Sequence, residues 1–239
     1  MPVFSGLTLT FLYYRRDGAV ASLTQRGILF VMKIDIHVHC SELSACGRNT
    51  MVEMVEAAIE SDLDGIVFTN HHKYVPAEDI VELNNRYAPF RVFNGIESTI
   101  GGEDLLIIGT MRKAYTSGKD CNYTHTLNQV RADGGCVVIA HPFRLHEEFQ
   151  MDLQADPPDA LEYASTNIYA ENYDRIIKLA EDLGIPATVA SDAHRAEDVG
   201  CRYLDFEVDV NDEKMLAELI RQGRFACVTE RNIQRIGAK

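Results

Sequence analysis

From Met32 onward the chain alternates two hydrophobic periods. Met32-Lys33-Ile34-Asp35-Ile36-His37-Val38-His39 repeats every second residue, as a strand does. Met51, Met54, Val55 and Ile59 then recur at helical spacing, and Thr50 with Glu53 has capping-box spacing in front of them. Asp64-Gly65 ends that helix, and Ile66-Val67-Phe68 reads as a short buried strand. A helix is expected near 77–86, with strands at 91–93 and 105–108. A helix at 124–133 stops at Gly134-Gly135, and a strand follows at 136–140. The pattern continues with a strand at 160–164, a helix at 170–183 closed by Gly184, and a strand at 186–190. Residues 203–209 alternate apolar and acidic in part, as an edge strand does. A helix at 211–222 stops at Gly223, and 225–229 is the final strand.

Strands that alternate with helices predict βα units, an α/β fold and a mostly parallel sheet. The choice lies between an open doubly wound sheet and a closed barrel. No GxGxxG or P-loop glycine pattern points to a nucleotide fold. No internal repeat or Pro-, Gly- or Ser-rich linker divides the chain, so 32–239 is expected to be one domain. Residues 1–31 hold no clear period and no motif. Two readings stand for them: a leader that is not native, with Met32 the natural start, or an N-terminal strand or arm packed on the domain.

Composition narrows the class. The chain has 239 residues, 46% hydrophobic and 25% charged, which suits a globular α/β barrel and excludes global disorder. Its net charge of −13 argues against stable binding to nucleic acid or an anionic membrane. A small anionic substrate stays open, because bound cations invert the local charge. Six cysteines without a CxxC pair read as reduced cytosolic thiols. The early apolar stretch, 4–14, is about half a membrane span, and Arg15 and Arg16 follow it where a signal peptide would place them first. A soluble cytoplasmic protein is expected, with no membrane partner.

The chemistry is positional. Five apolar runs each end in metal-ligand residue types: Asp35, His37 and His39; Asn70, His71 and His72; Glu97; His141; and Asp192 with His194. Of eight histidines, six lie in these clusters, so the grouping is more than a scatter of polar rim residues. In parallel α/β folds the C-terminal strand ends share one rim, where such residues converge. Asp35, His37 and His39 are spaced to point one way, and mixed imidazole and carboxylate donors suit Zn, Mn or Fe.

The series Asp35-Ile36-His37-Val38-His39, Thr69-Asn70-His71, Gly95-Ile96-Glu97, Ala140-His141-Pro142 and Ser191-Asp192-Ala193-His194 resembles the polymerase and histidinol phosphatase (PHP) family. Five motifs in order carry the resemblance, which covers about 32–229. It implies a distorted (β/α)7 TIM-like barrel and hydrolysis of phosphoesters at two or three divalent ions (Zn, Mn or Fe, with Mg as a further option). By position, His37, His39, His71, Glu97, His141, Asp192 and His194 are the implied ligands, with Glu97 bridging two ions. Of the two neighbouring histidines, His71 is the implied ligand and His72 is not.

Two departures from the family stand out. Asn70 replaces a frequent Asp and brings no negative charge. The loop after His39 lacks the further His or Asp that some relatives use to hold a metal. Glu42 or Cys46 can take that place, although the default reading of Cys46 is a small buried thiol.

The expected reaction is hydrolysis of a small phosphorylated substrate by metal-activated hydroxide. Glu97 and Asp192 supply the anionic charge, so the loaded site is expected to be net positive. Asp192 and Arg144 are the candidate catalytic groups, with Arg144 placed to clamp a phosphate oxygen. Lys73 is a weaker candidate for that role. His125 and His146 are expected in solvent. Asn167 and Asn172 either line the pocket or cap turns. Two alternatives remain. An amidohydrolase also begins with HxH on a barrel strand but usually bridges its metals with a lysine, and none closes a core strand here. A non-catalytic metal-binding module is kept open by Asn70, and metal binding without turnover would mark it.

Overall fold

The computed structural model describes residues 12–14, 20–22, 32–118, 121–144 and 146–229. Within the leader it describes only the backbone of a short antiparallel pair, β1 (Leu12–Tyr14) and β2 (Val20–Ser22). Both readings of 1–31 otherwise fall outside the described residues.

Nine strands build the main sheet: β3 (Met32–Val38), β4 (Gly65–Phe68), β5 (Arg91–Ile100), β6 (Glu103–Ile108), β7 (Cys136–Ile139), β8 (Ala160–Ala164), β9 (Ala187–Val189), β10 (Tyr203–Phe206) and β11 (Ala226–Val228). Their order is β11-β10-β3-β4-β5-β6-β7-β8-β9. The sheet curls into a nearly closed barrel, as the resemblance implied. The segment after β9 completes the turn by pairing with the end of β3. His39 N–H donates to the Ala193 carbonyl at 2.9 Å, and Ala193 N–H donates to that of His37 at 3.2 Å. At the opposite rim the Cys227 thiol of β11 reaches the Ala187 carbonyl of β9 at 3.4 Å.

The sheet is not mostly parallel. Parallel pairing holds within β3-β4-β5 and β7-β8-β9, but β6 runs antiparallel to β5 and β7, and β10 runs antiparallel to β3 and β11. The cause of the first reversal is a two-residue hairpin. Ile100 pairs with Glu103 across Gly101 and Gly102, whose φ angles are +68° and +91°. Glycine takes that conformation without a Cβ clash, so the chain folds straight back where a helix was not inserted. This hairpin also extends β5 well beyond the expected 91–93. The 203–209 segment is not an edge either, since β10 sits between β3 and β11. Its alternation records one half-covered face, with Leu204 and Phe206 buried and Tyr203 and Asp205 half-buried.

Five α-helices accompany the sheet: α1 (Met51–Glu60), α2 (Ala77–Tyr87), α3 (Tyr123–Ala132), α4 (Tyr173–Leu183) and α5 (Glu213–Arg221). The capping box at α1 forms as its spacing predicts: Thr50 accepts from the Glu53 N–H while the Glu53 carboxylate accepts from the Thr50 N–H. Met54, Val55 and Ala58 bury the inner face of α1, but Ile59 is 41% exposed. Strands β4, β6, β7 and β8 are buried along their whole length. Their near-continuous apolar runs follow from having both faces covered. Truncating a fully buried side chain such as Phe68 to alanine costs roughly 3–5 kcal/mol.

Candidate metal centre

The strand ends gather one compact cluster. His37 and His39 come from β3, and His71 follows β4. His141 follows β7, and Asp192 and His194 follow β9. Glu97 lies inside β5 and not at a strand end, because the hairpin carries β5 onward to Ile100. Backbone bonds fix it beside the end of β4: Glu97 N–H donates to the Asn70 carbonyl at 3.2 Å, and His72 N–H donates to that of Glu97 at 2.8 Å.

Glu97 is the hub. Its Oε2 lies 3.4 Å from His37 Nε2, 3.3 Å from His39 Nε2 and 3.0 Å from His71 Nδ1. Its Oε1 lies 3.0 Å from His141 Nε2. Asp192 Oδ1 faces His37 Nε2 at 3.2 Å, His39 Nε2 at 3.3 Å and His194 Nδ1 at 3.6 Å. His39 stacks between His71 and His194, with ring centroids 4.8 and 4.4 Å away.

Four atoms of this cluster, His37 Nε2, His39 Nε2, Glu97 Oε2 and Asp192 Oδ1, are buried and have no hydrogen-bond partner. Buried polar atoms are costly unless something satisfies them. The four nitrogen–oxygen contacts among them span 3.2–3.4 Å. Ligand atoms about 2.1 Å from a tetrahedral centre are ~3.4 Å apart, so these nitrogen–oxygen spacings are of the size that cation ligands show. Four overlapping groups among the described residues could hold an ion: His37, His39 and Glu97; His37, His141 and Asp192; Glu97, Asp104 and His141; and His39, Cys46, His71 and His194.

A second layer of hydrogen bonds aims these donors. Glu162 is fully buried in β8. Its Oε1 lies 3.0 Å from His37 Nδ1, and its Oε2 accepts the His141 N–H at 3.0 Å. The Asn167 amide donates to Asp192 Oδ2 at 2.6 Å. Ser44 Oγ accepts the His71 N–H at 3.0 Å, faces His39 Nδ1 at 3.4 Å, and donates to Asn70 Oδ1 at 3.1 Å. Asn70 thus supports the cluster through a neutral carbonyl, which also accepts the Cys40 N–H at 2.9 Å. Asp35 points elsewhere. Its carboxylate accepts the N–H groups of Ser191 and Gly200, each at 3.0 Å, and so ties β3 to the chain after β9. Burial pushes the Asp35 carboxyl up to about 6 against these bonds.

The electrostatics are tightly coupled. Burial opposes charge on His37, but Asp192, Glu162 and Glu97 outweigh it and raise its pKa well above the imidazole value. His141 is raised in the same way, chiefly by Glu97. Burial would raise Glu97 and Asp192, yet the neighbouring histidines, His37 first, pull both well down. Burial lowers His39 and His71. Two buried carboxylates therefore stay ionised, as cation binding needs, while the protons favoured on His37 and His141 would have to leave, since an imidazole ligates only in its neutral form. His141 (φ +32°) and Asp192 (φ +53°) also adopt left-handed backbone, a strain that folded chains tend to retain at functional sites.

The remaining sequence candidates separate clearly. His72 points away, with Nε2 3.5 Å from Thr99 Oγ1. Arg144, Lys73, His125 and His146 are exposed. The Arg144 backbone N–H bonds the His141 carbonyl at 3.2 Å, and its guanidinium makes no ion pair among the described residues. Glu42 caps α1 by accepting the Met51 N–H and does not enter the cluster. Asn172 precedes α4 without a side-chain cap. The sequence counted two carboxylates, whereas the structure adds Glu162 and Asp104. An acid inside an otherwise apolar strand, Ala160-Leu161-Glu162-Tyr163-Ala164, was the available signal, because a buried carboxylate demands a partner.

Residues 171–225 match the family model described as PHP-associated. The chain is 24% identical over 199 residues to a probable phosphatase of Caldicellulosiruptor saccharolyticus, covering 70% of this chain and 83% of that protein. It is similar, with a TM-score of 0.63 and 16% identity, to a two-domain Bacteroides vulgatus protein containing a predicted PHP-like metal-dependent phosphoesterase. That likeness covers 83% of this chain and 65% of the other, so this chain spans just under two thirds of its length. An amidohydrolase structure from Chromobacterium violaceum is similar at a TM-score of 0.53 and 16% identity, over 70% of this chain and 89% of that one. At such identities the structural likeness is one of fold. In fold and over its C-terminal match, the chain is similar to PHP proteins. No described helix is long and apolar enough to cross a membrane.

Proposed function

We propose that this chain is a metal-dependent phosphoesterase, a phosphatase or phosphodiesterase acting on a small phosphorylated molecule. One observation carries the reading: two imidazole nitrogens and two carboxylate oxygens, all buried and unpartnered, meet at the barrel rim through nitrogen–oxygen contacts of 3.2–3.4 Å. We assign His37, His39, Glu97 and Asp192 to a first ion. His141 and Glu97, with Asp104 close by, form a second ligand group, and His71 and His194 belong to a third. Glu97, shared by the first and second groups, is our candidate to bridge them.

When bound, divalent cations supply Lewis acidity: they acidify a water and offset charge on the phosphoryl oxygens. The chain's own residues do the rest. Glu162 fixes the His37 tautomer so that Nε2 faces the cluster, and Asn167 fixes the rotamer of Asp192. Arg144, exposed just past His141, is the candidate to clamp a substrate phosphate oxygen in two-pronged fashion. The donor set suits Zn, Mn or Fe.

The amidohydrolase reading is weaker, because the lysine ion pairs of the described residues, Lys33 with Asp62 and Lys178 with Asp182, lie outside the cluster, and Glu97 is shared by two of the candidate ligand groups. The test pairs the wild type with a His37→Ala/His39→Ala double variant. Bound metal is measured by elemental analysis, and both proteins are assayed on phosphomonoester and phosphodiester panels with added Mn or Zn. Turnover that follows metal content and vanishes in the variant is expected. Metal bound at the cluster with no turnover of any ester would overturn the phosphoesterase reading.

A further inference from the structure

Cys46 lies in the loop between β3 and α1. One imidazole nitrogen each of His39, His71 and His194 lies within 4.8 Å of its Sγ and of one another. The neighbouring His39 Nε2 is fully buried and without a partner. The placement is built and not incidental. Ser44 N–H donates to the Cys40 carbonyl at 2.9 Å, Gly47 N–H to that of Ser44 at 3.0 Å, and Arg48 N–H to that of His194 at 2.8 Å. A Cβ on Gly47 would sit 2.5 Å from the Cys40 carbonyl carbon, so only glycine lets the loop close this tightly over the end of β3. His71 and His194 flank the open side of the cluster, and no carboxylate of the loop enters it, since Glu42 is spent on the start of α1.

We propose that Cys46 is a thiolate ligand of the outer ion, completing with His71 and His194 a sulfur-containing subsite beside the His37–His39–Glu97–Asp192 cage. The inference rests on the polymetal reading above and adds the identity of the ion. Binding releases the thiol proton to solvent, and the sulfur lone pair makes the new bond. A soft thiolate with two imidazoles selects Zn or Co over Mg or Mn. Two classes of subsite would then share one centre: an inner one of imidazole and carboxylate, and an outer one tuned by sulfur.

The test is Co(II) loading of the full chain, read by near-ultraviolet thiolate-to-cobalt charge-transfer absorption alongside elemental analysis. The wild type is expected to show the band. Cys46→Ser is expected to lose it together with one bound ion per chain. Cys46→His is expected to regain the ion without the band, which guards against a variant that merely misfolds. A fully loaded wild type without the band, or a Cys46→Ser chain that keeps it, overturns the proposal. The readout is independent of turnover. An active enzyme without the band sinks only the thiolate, and a band without ester hydrolysis sinks only the phosphoesterase reading.

Discussion

Glu162 and His37 meet at 3.0 Å, Oε1 to Nδ1, with both side chains wholly removed from solvent. The other oxygen of the same carboxylate takes the backbone N–H of His141. One acid in β8 therefore aims donors that arrive from two different strands. Such a carboxylate orients an imidazole and raises its basicity toward a cation. Glu162→Gln should weaken metal affinity by roughly 10–100-fold while leaving the fold intact. Chelator competition followed by elemental analysis measures it, and unchanged affinity would remove Glu162 from the centre.

Asp35 carries no ligand role in this arrangement, although the sequence groups it with His37 and His39. It holds the backbone at Ser191 and Gly200, and so seats Asp192. Asp35→Ala leaves those buried donors unsatisfied, at a cost of about 1–3 kcal/mol for each. Denaturant unfolding should show that loss, and metal affinity should fall with it because Asp192 loses its anchor. Unaltered stability would show that the barrel closes by other means.

Asp205 gives a pH-dependent prediction away from the centre. Burial, with Asp64 adding and Lys33 opposing, pushes its carboxyl up to about 6 from a usual 3.8. Between those values the folded chain keeps a proton that the unfolded chain has released, so this group's contribution to stability rises as pH falls through that window. Asp205→Asn removes the charge. Its Tm should exceed that of the wild type at neutral pH, and the difference should shrink away as pH drops to about 4. A constant difference across that range would contradict the burial argument.

Gly47→Ala tests the loop. Its Cβ meets main chain of Cys40 and Ser41, which cannot rotate aside as a side-chain tip can. The loop must shift, and Cys46 and the Ser44 contacts to His39 and His71 shift with it. Lower thermal stability and loss of one bound ion per chain are expected. A variant with wild-type metal content would show that the loop's closure is unrelated to ion binding.

Much of this centre was legible along the chain because ligand chemistry is carried by residue type. The histidines and acids that follow β3, β4, β7 and β9 announce themselves against the apolar runs before them. Glu162 and Asp104 did not, because an acid within a strand reads equally as a solvent-facing position. Cys46 read by default as a small buried thiol and is half-buried instead, because nothing in a loop's sequence tells where its tip will fold.

The sequence by itself determined the alternation of strands and helices, the capping box of α1, and which donor types stand at which strand ends. These are local properties: side-chain period, apolar run length and residue chemistry need only near neighbours. Tertiary structure alone decided that β10 runs antiparallel between β3 and β11, and that Glu162 joins His37 to His141. Pairing direction and burial depend on which distant segments meet, and those contacts leave no periodic trace in either partner.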